Sequence, residues 1–182
     1  MDDVDAGLDR VRHAPADRGP VELIVRRPAV GEREILAAAD VDLVSGLAGD
    51  TWSERPSRAT PDGSPDQRCQ ITIMGARAAA LLCGPRDQWP LAGDQLFVDL
   101  DISTTNLPPG TLLDVGTAVL EVSAHPHTGC AKFQDRFGTD ALRLVNSPAG
   151  RELRLRGLNA RVVVAGSVAA GDEVRKRPAG PG

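Results

Sequence analysis

Short runs in which apolar and polar residues alternate, each closed off by Gly or Pro, constrain the fold of this chain more than any other feature. In Gln95–Asp101, Leu96, Val98 and Leu100 share one face; in Thr117–Ser123, Ala118, Leu120 and Val122 lie opposite Val119 and Glu121. Alternation with period two marks a pleated strand. Val21–Val25, Ile71–Met74 and Val162–Val164 read as further strands. Gly-Asp recurs ahead of apolar segments, in Leu47-Ala48-Gly49-Asp50, Leu91-Ala92-Gly93-Asp94 and Ala170-Gly171-Asp172. Glycine supplies the positive φ of a tight turn and aspartate bonds the neighbouring backbone, so the echo reads as repeated turn chemistry with no catalytic aspartate in it.

Helix-forming residues fill Glu32–Leu43 and Ala76–Leu82, the second stopped by Cys83-Gly84-Pro85. Thr139 is placed to cap a helix over Asp140–Val145. Residues 53–68 hold three prolines and many polar side chains, the mark of a long surface loop that can lie over a site. Arg151–Arg156 alternates, with Leu153 and Leu155 on its apolar face, and reads as a strand. The expected fold class is mainly β with a few helices (α+β), a partly closed β-barrel with flanking helices. Residues 1–20 are expected as a flexible lead-in, 21–177 as one domain and 178–182 as a loose tail.

Composition excludes some functions. Aromatics are 3% of the chain with no Tyr, and the net charge is -4, so a stacking platform for nucleic acid is not expected. No apolar run approaches the roughly 18–20 residues that span a bilayer, and the start, MDDVDAGLDR, is acidic rather than basic and then apolar. A cytoplasmic protein with no membrane partner is the expectation. The three cysteines, Cys69, Cys83 and Cys130, lack C-x-x-C spacing, and a reducing cytosol disfavours disulfides.

The densest chemistry lies in His125-Pro126-His127-Thr128-Gly129-Cys130-Ala131-Lys132-Phe133-Gln134-Asp135-Arg136-Phe137-Gly138. Cations beside a thiol favour the thiolate, the form that attacks or ligates metal. Gly129 lets the backbone turn and a ligand approach. The plain alternative is an inert cysteine buried in a core. Arg136, Arg156 and Arg161, the last two flanking Gly157-Leu158-Asn159-Ala160, are candidates to hold an anion through their guanidinium forks. For Arg151 and Arg154 a solvated charged face is the expected role.

These residues resemble the MOSC domain, named for the carboxy-terminal domain of molybdenum cofactor sulfurase, in its stand-alone bacterial form. The resemblance runs from Gly93 to Val174: Pro-x-Gly near Leu107–Gly110, Val115-Gly116, the cysteine, the Phe/Arg-Phe-Gly patch, and a terminal Arg-Val-Val strand followed by Gly and Gly-Asp-x-Val. Arg26-Arg27-Pro28 and Gly46-Leu47-Ala48-Gly49-Asp50 look like its leading strand and turn, extending the likeness over most of 21–177. It implies a MOSC-type β-barrel and an active cysteine, here Cys130, that carries sulfur or contacts molybdenum cofactor (molybdopterin). Lys132, Phe133, Arg136 and Gly138 match the patch downstream.

On that resemblance Cys130 is the metal ligand or persulfide carrier and His127 tunes it. His125, Lys132, Arg136, Arg156, Asn159 and Arg161 are the candidate cofactor-binding residues. Many members place Pro directly before the cysteine, where this chain has Gly129. The cysteine-desulfurase domain of the fused proteins is absent, so a sulfur-donor or electron-donor protein is an expected partner. Pyridoxal phosphate is not expected, because Lys132 and Lys176 are the only lysines. The activities implied are sulfur transfer or molybdenum-dependent reduction of N-hydroxylated compounds. A non-catalytic sulfur or small-ligand carrier serving a partner enzyme is the alternative, and a metal-free redox thiol a third.

Overall fold

The computed structural model describes residues 2–178 as α1 (Asp2–Arg12), β1 (Arg18–Arg26), β2 (Glu34–Leu36), β3 (Ala38–Asp42), β4 (Gly46–Leu47), β5 (Ile71–Gly75), α2 (Ala76–Cys83), β6 (Leu96–Val98), β7 (Leu112–Val115), β8 (Ala118–Val122), α3 (Ala131–Asn146), α4 (Pro148–Glu152), β9 (Leu158–Val164), β10 (Gly166–Ala169) and β11 (Glu173–Lys176). Short 3-10 turns lie at Thr51–Glu54, Gln67–Cys69 and Arg86–Ala92. Strands pair in the order β11-β7-β8-β9-β5-β6-β1, and β1 returns to β11 through Arg18↔Arg175, Gly19↔Val174 and Pro20↔Glu173. That pairing closes a barrel and removes the free edges of an open sheet. β2 extends from β1, and β10-β3-β4 forms a separate three-stranded sheet. The expected α+β barrel with flanking helices is therefore what the chain adopts.

β5 and β6 run parallel, through Ile73↔Leu96, Met74↔Phe97 and Gly75↔Val98. A parallel pair needs a crossover, and α2 with the Arg86–Ala92 turn supplies it. β5 is buried on both faces, and its one polar side chain, Thr72, is met inside by Gln95, whose Oε1 accepts from Thr72 N at 2.8 Å. Ile71 and Ile73 point into the barrel with Leu96, Leu120 and Leu158, while Met74 packs outside with Phe97, Val25 and Phe133 beneath the helices. Each such buried side chain contributes roughly 1.5–3 kcal/mol over leaving it exposed. This outer layer fixes α3, and with it the Cys130 segment, to the barrel wall. Gln70, fully buried, ties the small sheet's loop to the barrel: Nε2 donates to Leu43 O at 3.0 Å and Oε1 accepts from Val162 N at 2.8 Å.

Three expectations need correction. Glu32–Leu43 is not a helix but β2 and β3, because pairing with β1 and β10 outweighs helix propensity, a weak preference. Arg151–Arg156 is not a strand. Ser147 caps α4, its Oγ accepting from Gly150 N at 3.0 Å, with Pro148 at the first helical position; that start signal overrides the alternation, and Arg154 leaves with φ 47°. The lead-in expected to be flexible forms α1, which packs on α2 through Leu8 and Val11, with Gly7 at the crossing against Leu81. Arg77 fastens its end by donating to the carbonyls of Arg10 and His13 at 3.1 and 2.7 Å. Of the expected loose tail 178–182, residues 179–182 lie outside the described residues.

Candidate anion site around Cys130

A 3-10 turn leaves backbone carbonyls free for outside donors. In the turn ending at Gly93 four successive carbonyls each receive a different arginine. Pro90 O accepts from Arg33 Nε at 3.2 Å, Leu91 O from Arg136 Nη1 at 2.5 Å, Ala92 O from Arg156 Nη2 at 2.9 Å and Gly93 O from Arg27 Nη1 at 3.1 Å. Gly93 has φ 89°, the turn geometry expected of the Gly-Asp repeat. One short backbone stretch thus gathers guanidiniums from the loop after β1, from α3 and from the turn after α4.

These arginines line a cavity of about 390 Å³ together with Arg55, Lys132, Phe133 and Cys130. Two of its cations are balanced. Arg27 grips Asp50 with Nε at 2.8 Å and Nη2 at 2.7 Å, and Arg156 reaches Asp94. Arg33, Arg55, Lys132 and Arg136 take part in no ion pair among the described residues. Burial first, then the charges of Arg136, Arg27 and Arg55, hold Arg33 below the usual arginine range; burial and Arg27 act likewise on Arg55. Four unbalanced cations in a chain of net charge -4 create a local field that attracts anions.

Cys130 precedes α3 and is the exposed one of the three cysteines. Cys83 is buried and its thiol is pushed up to about 12, and half-buried Cys69 is pushed up to about 11, both chiefly by desolvation. The backbone before Cys130 is pinned by Asn146: Oδ1 accepts from Gly129 N at 3.2 Å and Nδ2 donates to Gly129 O at 3.4 Å. Gly129 serves this packing rather than a turn, since a Cβ there would meet Val145 at 2.7 Å and Leu142 at 2.8 Å.

Behind the cavity stands a buried charge cluster. Asp94 is fully buried, accepts from Arg156 Nη1 at 2.5 Å, and lies 2.9 Å from His127 Nε2. Burial is the largest single influence on Asp94 and pushes it up, yet Arg156 and His127 together hold its carboxyl below the ordinary range. Burial lowers His127, and Asp94 opposes that shift. The Arg156 guanidinium stacks on Phe133, 5.1 Å from the ring centroid, and its buried Nε has no hydrogen-bond partner among the described residues. On the far side a second cavity, of about 420 Å³, is lined by His125, His127, Arg151, Arg154 and Arg156, so Arg156 forms part of both walls.

Of the residues singled out in the sequence, Cys130, Lys132, Arg136 and Arg156 share one cavity. His127 stands behind it on Asp94. His125 faces the other cavity, and Asn159, buried in β9, donates to the His125 carbonyl at 3.1 Å. Arg161 lies outside: it pairs across the barrel wall with Glu121 at 3.0 Å and is half exposed, because the alternation of β9 turns it to solvent. Arg27, Arg33, Arg55, Asp50 and Asp94 were not picked out. For Asp50 and Asp94 the Gly-Asp repeat is the one signal, and turn chemistry accounts for it without a site.

The chain is similar to proteins already known. The family model described as MOSC domain matches residues 78–175. No curated protein matches. Among solved structures, the YuaD protein from Bacillus subtilis superposes with TM-score 0.60 at 20% identity, over 86% of this chain and 94% of that one. A protein described as hypothetical gives TM-score 0.63 at 17% identity, over 93% and 72%. YiiM from Escherichia coli gives 0.58 at 18% identity, over 89% and 70%. At such identities the structural likeness bears on the fold.

Proposed function

Since the chain belongs to the MOSC domain family, we propose that it binds molybdenum cofactor, or a related phosphate-bearing ligand, in the cavity at Cys130, with that thiol as metal ligand or sulfur carrier. The observation that carries this reading is one cavity of about 390 Å³ lined jointly by the exposed Cys130 and by Arg33, Arg55, Lys132 and Arg136, none in an ion pair among the described residues. Small-ligand sites run to roughly 300–1,000 Å³, so the volume suits a cofactor of that class.

The donor set fits the group. A thiolate is a soft metal ligand, and guanidinium forks hold phosphate oxygens bidentately. Arg156 adds a buried Nε in need of an acceptor. In this reading Cys130 ligates the metal, Lys132, Arg33 and Arg136 hold phosphate and pterin oxygens, and Asp94 with His127 fixes the bearing of Arg156. The cofactor, when bound, supplies the two-electron chemistry that reduction of an N-hydroxylated compound requires. A cytoplasmic setting, which keeps the thiol reduced, and a sulfur-donor or electron-donor protein belong to the same proposal.

To test it, the protein is purified from cells that make the cofactor, and bound molybdenum and pterin are measured for wild type and Cys130→Ser. Wild type carries both and the variant loses molybdenum; absence of both from wild type removes the cofactor. The exposure of Cys130 favours a second reading, a carrier that receives sulfur from a protein donor. That protein gains the mass of one sulfur on Cys130 and shows no multiple turnover.

A further inference from the structure

Away from the arginine cavity, three side chains of metal-ligating type converge. One ligand atom each from Asp66, Cys69 and His125 lies within 4.8 Å of the other two. The local fold accounts for the meeting. Cys69 N donates to Asp66 O at 2.9 Å and closes the Gln67–Cys69 turn, and residues three apart in such a turn eclipse, which puts Asp66 and Cys69 on one side. His125 comes from the segment after β8 and is held at both backbone ends, its N–H donating to Ser123 Oγ at 3.0 Å and its carbonyl accepting from Asn159 at 3.1 Å. The Cys69 sulfur and the His125 ring have no hydrogen-bond partner among the described residues.

We propose that Asp66, Cys69 and His125 form a three-ligand site for a divalent cation of the zinc type. A thiolate, an imidazole and a carboxylate together select a borderline-soft ion over magnesium or calcium. Around tetrahedral zinc, with bonds of about 2.0–2.3 Å, neighbouring ligand atoms stand roughly 3.3–3.8 Å apart, so small rotations of half-buried side chains close the set. Binding breaks the Cys69 S–H bond, forms a sulfur–metal bond and releases one proton to water, with no change of oxidation state. Arg68 already grips Asp66 at 2.7 Å, but it is half exposed, and exposed pairs resist displacement weakly. Three protein ligands leave a fourth position for water or a small ligand, and His125 also lines the cavity of about 420 Å³. The site stands independently of the reading of Cys130.

The test is a titration of the full-length protein with cobalt(II), whose thiolate charge-transfer band reports sulfur ligation. Wild type and Cys130→Ser develop the band at one equivalent of cobalt, and Cys69→Ser does not. His125→Gln keeps the sulfur and weakens binding by more than about tenfold, the least that losing even an outer partner of a metal ligand brings. Asp66→Asn, which keeps an oxygen to cap the turn, weakens it likewise. Circular dichroism confirms that each variant is folded, and the half-exposed His125→Gln gives a separate reading should Cys69→Ser fail to fold. Any other pattern overturns the site: no band in wild type, a band lost in Cys130→Ser, or affinity unchanged in His125→Gln.

Discussion

Arg156 donates from Nη1 to Oδ2 of Asp94 at 2.5 Å, while its Nε, shut away from solvent, has no partner among the described residues. An unsatisfied buried donor costs about 1–3 kcal/mol. Arg156 forms part of the wall of both cavities, its terminal nitrogens engaged by Asp94 and the Ala92 carbonyl. Asp94, itself fully buried, holds the guanidinium there.

Asp94→Asn removes the counter-charge and leaves Arg156 buried unpaired. Breaking a buried pair from one side costs about 3–5 kcal/mol, and a urea midpoint lowered correspondingly is the expected result. Adding Arg156→Met, which removes the second charge, recovers most of that loss. A double variant no more stable than Asp94→Asn contradicts the account.

The same pair sets an acid limit. The folded state holds Asp94 below its ordinary range, so folding favours the ionised form; the stability gained is present above the unfolded carboxylate pKa, about 3.9, and is lost as pH falls through the lower folded value. Urea midpoints of wild type and Asp94→Asn accordingly draw together below about pH 4. A gap already closing at pH 6 points to another group.

Arg136→Gln tests the unbalanced cations. Arg136 is one of the charges that hold Arg33 below its usual range, so its removal relieves repulsion and leaves the ligand-free fold within about 0.5 kcal/mol of wild type, despite the lost bond to Leu91 O. Affinity for inorganic pyrophosphate, read by calorimetry, falls about tenfold, the equivalent of 1.4 kcal/mol. The salt dependence of that affinity weakens in parallel.

How much of this was legible follows from the range of each interaction. Strands such as Leu96–Val98 and Ala118–Val122 were readable because alternation is local, and the clustered Cys130, Lys132 and Arg136 because a single segment carries them. Arg27 and Arg33 join that site across some sixty residues through carbonyls, which bear no side-chain signature. Asp50 and Asp94 sit in turns that Gly49 and Gly93 open at φ 75° and 89°, as the repeat predicted. Their burial as counter-ions depends on which arginines the barrel brings near. Arg161 misled for the opposite reason: its spacing to Arg156 is short, but the strand starting at Leu158 faces it to solvent.

Gly129→Ala joins the packing behind Cys130 to its chemistry. Its Cβ stands 2.7 Å from Val145 and 2.8 Å from Leu142, closer than side chains tolerate, and overpacking of this kind costs about 1–3 kcal/mol. Relief requires the segment to move away from α3, which breaks the Asn146 bonds and displaces Cys130. In wild type, iodoacetamide at neutral pH modifies exposed Cys130 ahead of Cys83, which is buried and remains a thiol. Pyrophosphate, held by the neighbouring cations, slows that modification. In Gly129→Ala the cysteine still alkylates, but the protection is lost, because sulfur and cations no longer share one cavity. Mass spectrometry of the alkylated peptides reads both rates, and full protection in the variant shows that the position of Cys130 does not depend on this contact.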